Sequence, residues 1–125
     1  MALVIGCIED HEPDQLLIQA ALRTGPVEVA SLLHATDLRG LEQMADSEEL
    51  DVVVLDLGLP DSRGIETVAR ARELVGQTPI VVLTGQDENG LAAISAGADD
   101  FLSKDLIGGG QLVRVVAFAV ERRKL

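Results

Sequence analysis

The order of hydrophobic segments predicts an α/β fold, a doubly wound five-stranded parallel sheet with helices on both faces. Three observations carry this. Short apolar runs rich in β-branched residues, at 3–8, 51–56 and 79–83, have the unbroken hydrophobicity of strands buried on both faces. Segments with helical spacing alternate with them along the chain, joined by short connections. A polar group closes successive runs, Glu9 and Asp10, Asp56, Thr84 and Lys104. It closes them at the end where open α/β sheets place their ligand sites.

Strand one is expected at residues 2–8. Pro13 suits a first helical turn, and Leu16, Leu17, Ala20 and Ala21 give helix one its expected buried stripe. Gly25-Pro26 breaks the chain, and 27–33 alternates as an edge strand. Asp37 caps a short second helix through Met44. Residues 51–56 form strand three, and the turn at 60–64 leads to a helix with Ile65, Val68, Ala69 and Leu74. Strand four is 79–83. Helix four, near 87–96, is weak, since Gly90 interrupts it and Leu91 and Ile94 supply most of its stripe. Strand five spans 100–103, and the last helix runs from about 110 to the end. At about 100° per residue, Leu112, Val115, Val116, Ala119 and Val120 share its inner face, and Phe118 falls outside beside Arg114 and Glu121. Periodicity does not fix the strand order. No repeat, low-complexity tract or linker divides the chain, so 1–125 reads as one domain.

At 125 residues and 47% hydrophobic content the chain can bury a core without staples. No apolar run approaches the roughly 20 residues of a membrane span, and no secretory leader opens the sequence. Cys7 is the single cysteine, which permits no internal disulfide and fits a reducing cytoplasm. The net charge of -11 argues against direct nucleic-acid binding, which relies on Lys and Arg. The basic cluster Arg122-Arg123-Lys124 complements a helix C-terminus instead.

Chemistry concentrates at the strand tips. Clustered carboxylates repel unless a cation neutralises them, and oxygen-only ligands favour a hard ion such as Mg²⁺. A hydrated Mg²⁺, a lysine and a hydroxyl converging on a carboxylate make a cradle for a phosphoryl group. Asp56 is then a candidate nucleophile that becomes an acyl phosphate. Singly these signals are weak: an acid at a strand tip is commonly a helix cap, and Thr84 before Gly85 fits ordinary turn chemistry. The ordered set is the specific part.

That set resembles the receiver domains of two-component response regulators over almost the whole chain. The resemblance is carried by Ile8-Glu-Asp10, by Val54-Leu-Asp-Leu-Gly-Leu-Pro-Asp61 with Gly64, by Val82-Leu-Thr-Gly85, and by Ala96-Gly-Ala-Asp-Asp-Phe-Leu-Ser-Lys104. It implies the flavodoxin-like strand order 2-1-3-4-5. It also implies that Asp56 accepts phosphate from a histidine kinase or histidine phosphotransfer protein, with Thr84 and Lys104 on the phosphoryl oxygens. Mg²⁺ would be held by Asp10 and Asp56 directly, by Glu9 through water and by the backbone carbonyl of Gly58. Phe101 matches an aromatic switch position that follows Thr84. The output would be a shifted surface of strand four, helix four, strand five and the last helix. Catalysis would be self-directed, with no turnover of an external substrate.

Three departures stand out. Asp105 follows Lys104 where the family most often has proline, so a cis peptide is costly there and a trans loop is expected. Gly108-Gly-Gly110 precedes the last helix as a candidate hinge. The ending Val115 to Lys124 resembles receivers that continue into a further domain, so the chain is expected to be the N-terminal module of a longer cytoplasmic protein. Ile18 and Phe118 are candidate partner-contacting residues, Phe118 for a homodimer through the last helix; both also fit as lone apolar surface residues. His11 reads as a solvated residue near the site, and His34 has no evident partner. The competing reading is a receiver-like docking module that works without phosphorylation, which would be expected to lack part of the acid, hydroxyl and lysine set.

Overall fold

Period-2 alternation in the apolar strands distributes side chains to both faces of a sheet, and the computed structural model shows two separate cores built that way. It describes residues 2–85 and 89–125. In chain order the elements are β1 (Ala2–Ile8), α1 (Glu12–Arg23), β2 (Glu28–Ala35), α2 (Leu38–Ser47) and β3 (Val52–Asp56). Then follow α3 (Glu66–Val75), β4 (Ile80–Thr84), α4 (Gly90–Ser95), β5 (Asp100–Ser103) and α5 (Gln111–Lys124). A small antiparallel hairpin, Gly58–Leu59 with Ser62–Arg63, sits between β3 and α3, and a 3-10 helix, Lys104–Gly109, follows β5.

The five long strands form one parallel sheet in the order β2-β1-β3-β4-β5, the flavodoxin-like order. Val52, Val54, Val81 and Leu83 point to the face covered by α1 and α5. Val53, Leu55, Ile80 and Val82 point to the face covered by α2, α3 and α4. Where α2 crosses β1, Gly6 leaves room for a large side chain: a Cβ there would lie 2.8 Å from Met44 Sδ. Cys7 is fully buried in β1, and burial, then the charges of Glu9 and Asp56, push its thiol up to about 12.

Helix α2 begins where Asp37 Oδ1 accepts from Gly40 N at 2.8 Å, the expected cap. Asp61, at the tip of the hairpin, adds acceptors for Leu38 N at 3.1 Å and Arg39 N at 3.2 Å, so three orphan amides of that terminus are satisfied. The helix runs on past Met44 to Ser47, and the edge strand β2 runs on to Ala35.

Side-chain placements in three helices differ from expectation. In α1 the inward residues are Ile18 and Leu22, while Leu16 and Leu17 are exposed at 60% and 43% and Ala20 is exposed too. Ile18 is fully buried, so it is not a partner-contacting surface residue. The cause is polar. Asp14 and Gln15 reach the strand tips, and residues 14, 18 and 22 lie on one i, i+4 row, which fixes the rotation of the helix. In α3 the exposed Ala69 gives way to Thr67 and Ala71 as buried partners of Val68. In α4, Leu91 and Ile94 face outward and Ala93 is the buried residue. The remainder of the expected helix four, at 87 and 88, lies outside the described residues.

Helix α5 buries Leu112, Val113, Val116, Ala119 and Val120, with Val115 only half-buried. Val113 packs onto Gly25, where a Cβ would overlap it, and that contact turns position 113 inward. Phe118 is exposed, as expected. The Lys104–Asp105 peptide is trans, and Gly110 adopts a left-handed φ of 84° between the 3-10 helix and α5, a conformation that favours glycine. Among the described residues no helix is long and apolar enough to cross a membrane.

Candidate functional site

Parallel register brings the strand ends to one edge. Cys7 and Ile8 pair with Val54 and Leu55, Asp56 with Leu83, and Thr84 with Ser103, so the residues just beyond them meet at the C-terminal pole. There the structure brings together Glu9, Asp10, Asp56 and Lys104. Glu9, Asp10 and Asp56 each offer a carboxylate oxygen, all within 4.8 Å of one another. Asp10 is exposed, whereas Glu9 and Asp56 are buried at 0% and 5% exposure. Gly58 lies against Asp56, its Cβ position 3.7 Å from Asp56 Oδ2.

The Lys104 ammonium donates to Glu9 Oε1 at 3.1 Å and Asp14 Oδ2 at 3.2 Å, and it is ion-paired with Asp56 Oδ1 at 3.0 Å. Burial works against its charge, but Asp56 and then Glu9 more than offset this and raise its pKa. Glu9 is pushed up to about 8, first by burial and then by the adjoining Asp56, with Lys104 offsetting only part. Burial also opposes ionisation of Asp14, yet the Lys104 contact outweighs it, with help from His11, and holds that carboxyl below its ordinary range.

Thr84 is 5% exposed at the tip of β4, and its hydroxyl makes a long 3.5 Å hydrogen bond to the carbonyl of Leu102 on β5. So weak a bond leaves the hydroxyl available to a better acceptor. Phe101 is half-buried on β5, its ring lying over Gly90 at the start of α4, where a Cβ would overlap it.

Three side chains at this pole were not anticipated in these roles. Gln15 Nε2 donates to the Glu9 carbonyl at 2.8 Å, and His34 Nε2 lies 3.0 Å from the same oxygen. A carbonyl only accepts, so this His34 nitrogen carries a proton. With Glu9 N donating to Ala35 O at 3.0 Å, the backbone of the acid pair is held from three sides. Asp14 is the third. It sits in the first turn of α1, and no local pattern in the sequence ties it to Lys104.

Glu9 Oε2 is buried with no hydrogen-bond partner. A buried carboxyl oxygen without a partner is costly, and Glu9 belongs to a set of hard oxygen ligands with Asp10 and Asp56. The residues therefore fit a hydrated divalent ion, and Mg²⁺ in particular, held by a few carboxylates and several waters.

Residues 5–117 match the family model of the response regulator receiver domain. The KDP operon transcriptional regulatory protein KdpE of Escherichia coli (strain K12) is 35% identical over 117 residues, which cover 92% of this chain and 50% of that protein. The chain thus spans about half the length of that relative. Among solved structures, NtrX from Brucella abortus superposes with a TM-score of 0.83 at 25% identity, covering 99% of this chain and 28% of that one. The receiver domain of sensor histidine kinase PA1611 from Pseudomonas aeruginosa PAO1, solved with a magnesium ion coordinated in its active site cleft, has a TM-score of 0.78 at 23% identity. It covers 97% of this chain and is itself covered to 99%. Strand order, strand-tip chemistry and sequence similarity over nearly its full length agree, and the chain belongs to the response regulator receiver domain family.

Proposed function

We propose that this receiver domain is a signalling switch thrown by phosphorylation of Asp56, the phosphoryl group coming from a histidine kinase or a histidine phosphotransfer protein. The observation that supports it best is the ammonium of Lys104 ion-paired with Asp56 within a buried acidic pocket, with Thr84 at the next strand tip.

An oxygen of Asp56 attacks phosphorus in line, the bond from phosphorus to the donor nitrogen breaks, and its electron pair leaves with the imidazole. The product is an acyl phosphate, later hydrolysed by water. Lys104 gives a hydrogen of its ammonium to one phosphoryl oxygen, and the weakly engaged hydroxyl of Thr84 turns to another. Asp10 and Asp56, Glu9 through water and the carbonyl of Gly58 would hold Mg²⁺, which supplies neutralising charge for the transferring oxygens. The same ion is reported in the PA1611 receiver.

Movement of Thr84 toward the phosphate frees space for the Phe101 ring to swing inward. That ring rests on α4, so the exposed surface of β4, α4, β5 and α5 shifts with it. This surface would act on a partner or on an output domain outside the chain, in a longer cytoplasmic protein. Phe118, 60% exposed on α5, would serve a homodimer through that helix. Self-directed phosphoryl transfer is the only chemistry needed.

Incubation with Mg²⁺ and acetyl phosphate, followed by intact-mass analysis, should add one phosphoryl group to the wild type and none to Asp56→Asn. An unmodified wild type, or equal modification of Asp56→Asn, rejects this function.

A further inference from the structure

We infer that Asp14 is a positioning residue that competes with the incoming phosphoryl group for the Lys104 ammonium and so slows phosphorylation of Asp56. The inference rests on the phosphoacceptor reading above and adds a rate-setting residue to it.

An ammonium has three hydrogens, and three carboxyl oxygens crowd that of Lys104 within 3.2 Å: it donates to Glu9 and Asp14 and is ion-paired with Asp56. Gripping a phosphoryl oxygen therefore requires Lys104 to release one of them. The three differ in depth. The side chains of Glu9 and Asp56 are 0% and 6% exposed, while that of Asp14 is 29% exposed on the first turn of α1. Releasing Glu9 would leave a fully buried carboxyl group without its remaining partner, whereas released Asp14 is taken up by water and by His11, whose Nδ1 lies 3.2 Å from the same Oδ2. Asp14 is thus the contact that yields.

Its charge also opposes the reaction directly. A phosphoryl oxygen bonded to Lys104 must sit close to Asp14 Oδ2, itself 3.2 Å from the ammonium nitrogen, so an anionic donor approaches against a fixed negative charge at the rim. Nothing covalent is asked of Asp14. It holds Lys104 in the resting state, and it raises the barrier to the first contact between donor and lysine.

The test compares wild type, Asp14→Asn and Asp14→Glu for phosphorylation by acetyl phosphate with Mg²⁺ at several salt concentrations. Removing one like charge a few ångströms away in a hydrated setting should raise the second-order rate constant of Asp14→Asn about fivefold at low ionic strength. The gain should shrink as salt rises through about 0.1–0.15 M, and Asp14→Glu should restore the slower, salt-sensitive behaviour. Asp14→Ser, a second neutral variant, should behave as Asp14→Asn does. Beryllofluoride, followed by NMR, should half-saturate the neutral variants at lower concentration. A neutral variant with an unchanged or slower rate overturns the inference, as does a gain equal at all salt concentrations, which would mark a merely structural role. Those results leave phosphorylation of Asp56 standing. A wild type that takes neither probe overturns the phosphoacceptor reading, and this one with it.

Discussion

The carboxylate of Asp99, at the pole opposite the acidic pocket, gathers donors from three elements. Its Oδ1 accepts from Arg72 Nη2 at 2.6 Å and Ile80 N at 2.9 Å, and Arg123 of α5 binds both of its oxygens. Burial raises the cost of its charge, but Arg123, the Ile80 amide and Arg72 together hold its pKa below the ordinary 3.8. A carboxyl depressed in the folded state contributes stability that is fully present above the unfolded value and is lost as pH falls through the folded one. Chemical denaturation should therefore show Asp99→Asn weaker than wild type by about 1–3 kcal/mol at pH 7. That difference should close as the pH is lowered from 3.8 through the depressed value. A difference that stays constant across this range would rule out the ionised carboxylate as its source. Single residues divided sharply in how far the sequence revealed them. Glu9, Asp10, Asp56, Thr84 and Lys104 were legible because each ends an apolar run. Asp14, Gln15, His34 and Asp99 were not, because nothing in their neighbours along the chain shows which distant backbone or cation they will meet.

Among the elements, α1 shows most clearly how a polar anchor overrides an apolar pattern. The sequence offers Leu16 and Leu17 as the obvious inward pair, yet the bonds from Gln15 to the Glu9 carbonyl and from Lys104 to Asp14 rotate the helix until Ile18 and Leu22 face the sheet. Thermal or denaturant unfolding should separate the two arrangements. Ile18→Ala opens a cavity in a fully buried position and should cost about 2–5 kcal/mol, while Leu16→Ala should change stability by less than about 1 kcal/mol. The reverse ranking would mean that the helix faces the sheet as its largest apolar residues suggest. Elements with one dominant requirement were read correctly. β3 and β4 have no polar side chain before their final residue, and α2 carries its cap in Asp37. The short α4 was misread because its six residues hold too few contacts for amphipathicity to decide which face turns inward.

At the scale of the molecule, charge is segregated between the ends of the sheet. Carboxyl groups of Glu9, Asp14 and Asp56 surround one ammonium at the C-terminal pole, with Asp10 beside Glu9 and Asp56, while Arg72, Arg122 and Arg123 gather around Asp99 and Asp100 at the other. The sequence could announce five strands and their directions through its alternation and short connections. Their order came from family resemblance, since strand order depends on which crossover passes over which face and no local pattern encodes that choice. Between the poles lies Cys7, paired with His34 on β2 and Val54 on β3 and sealed from solvent. With its thiol pushed up to about 12, almost none is in the reactive thiolate form at neutral pH. The chain thereby carries its own breathing gauge. An alkylating reagent should leave the native protein untouched, and its slow incorporation should keep pace with the rate at which the central strands part. Rapid alkylation of the folded protein would instead mean that β1 separates from its neighbours without the rest of the sheet.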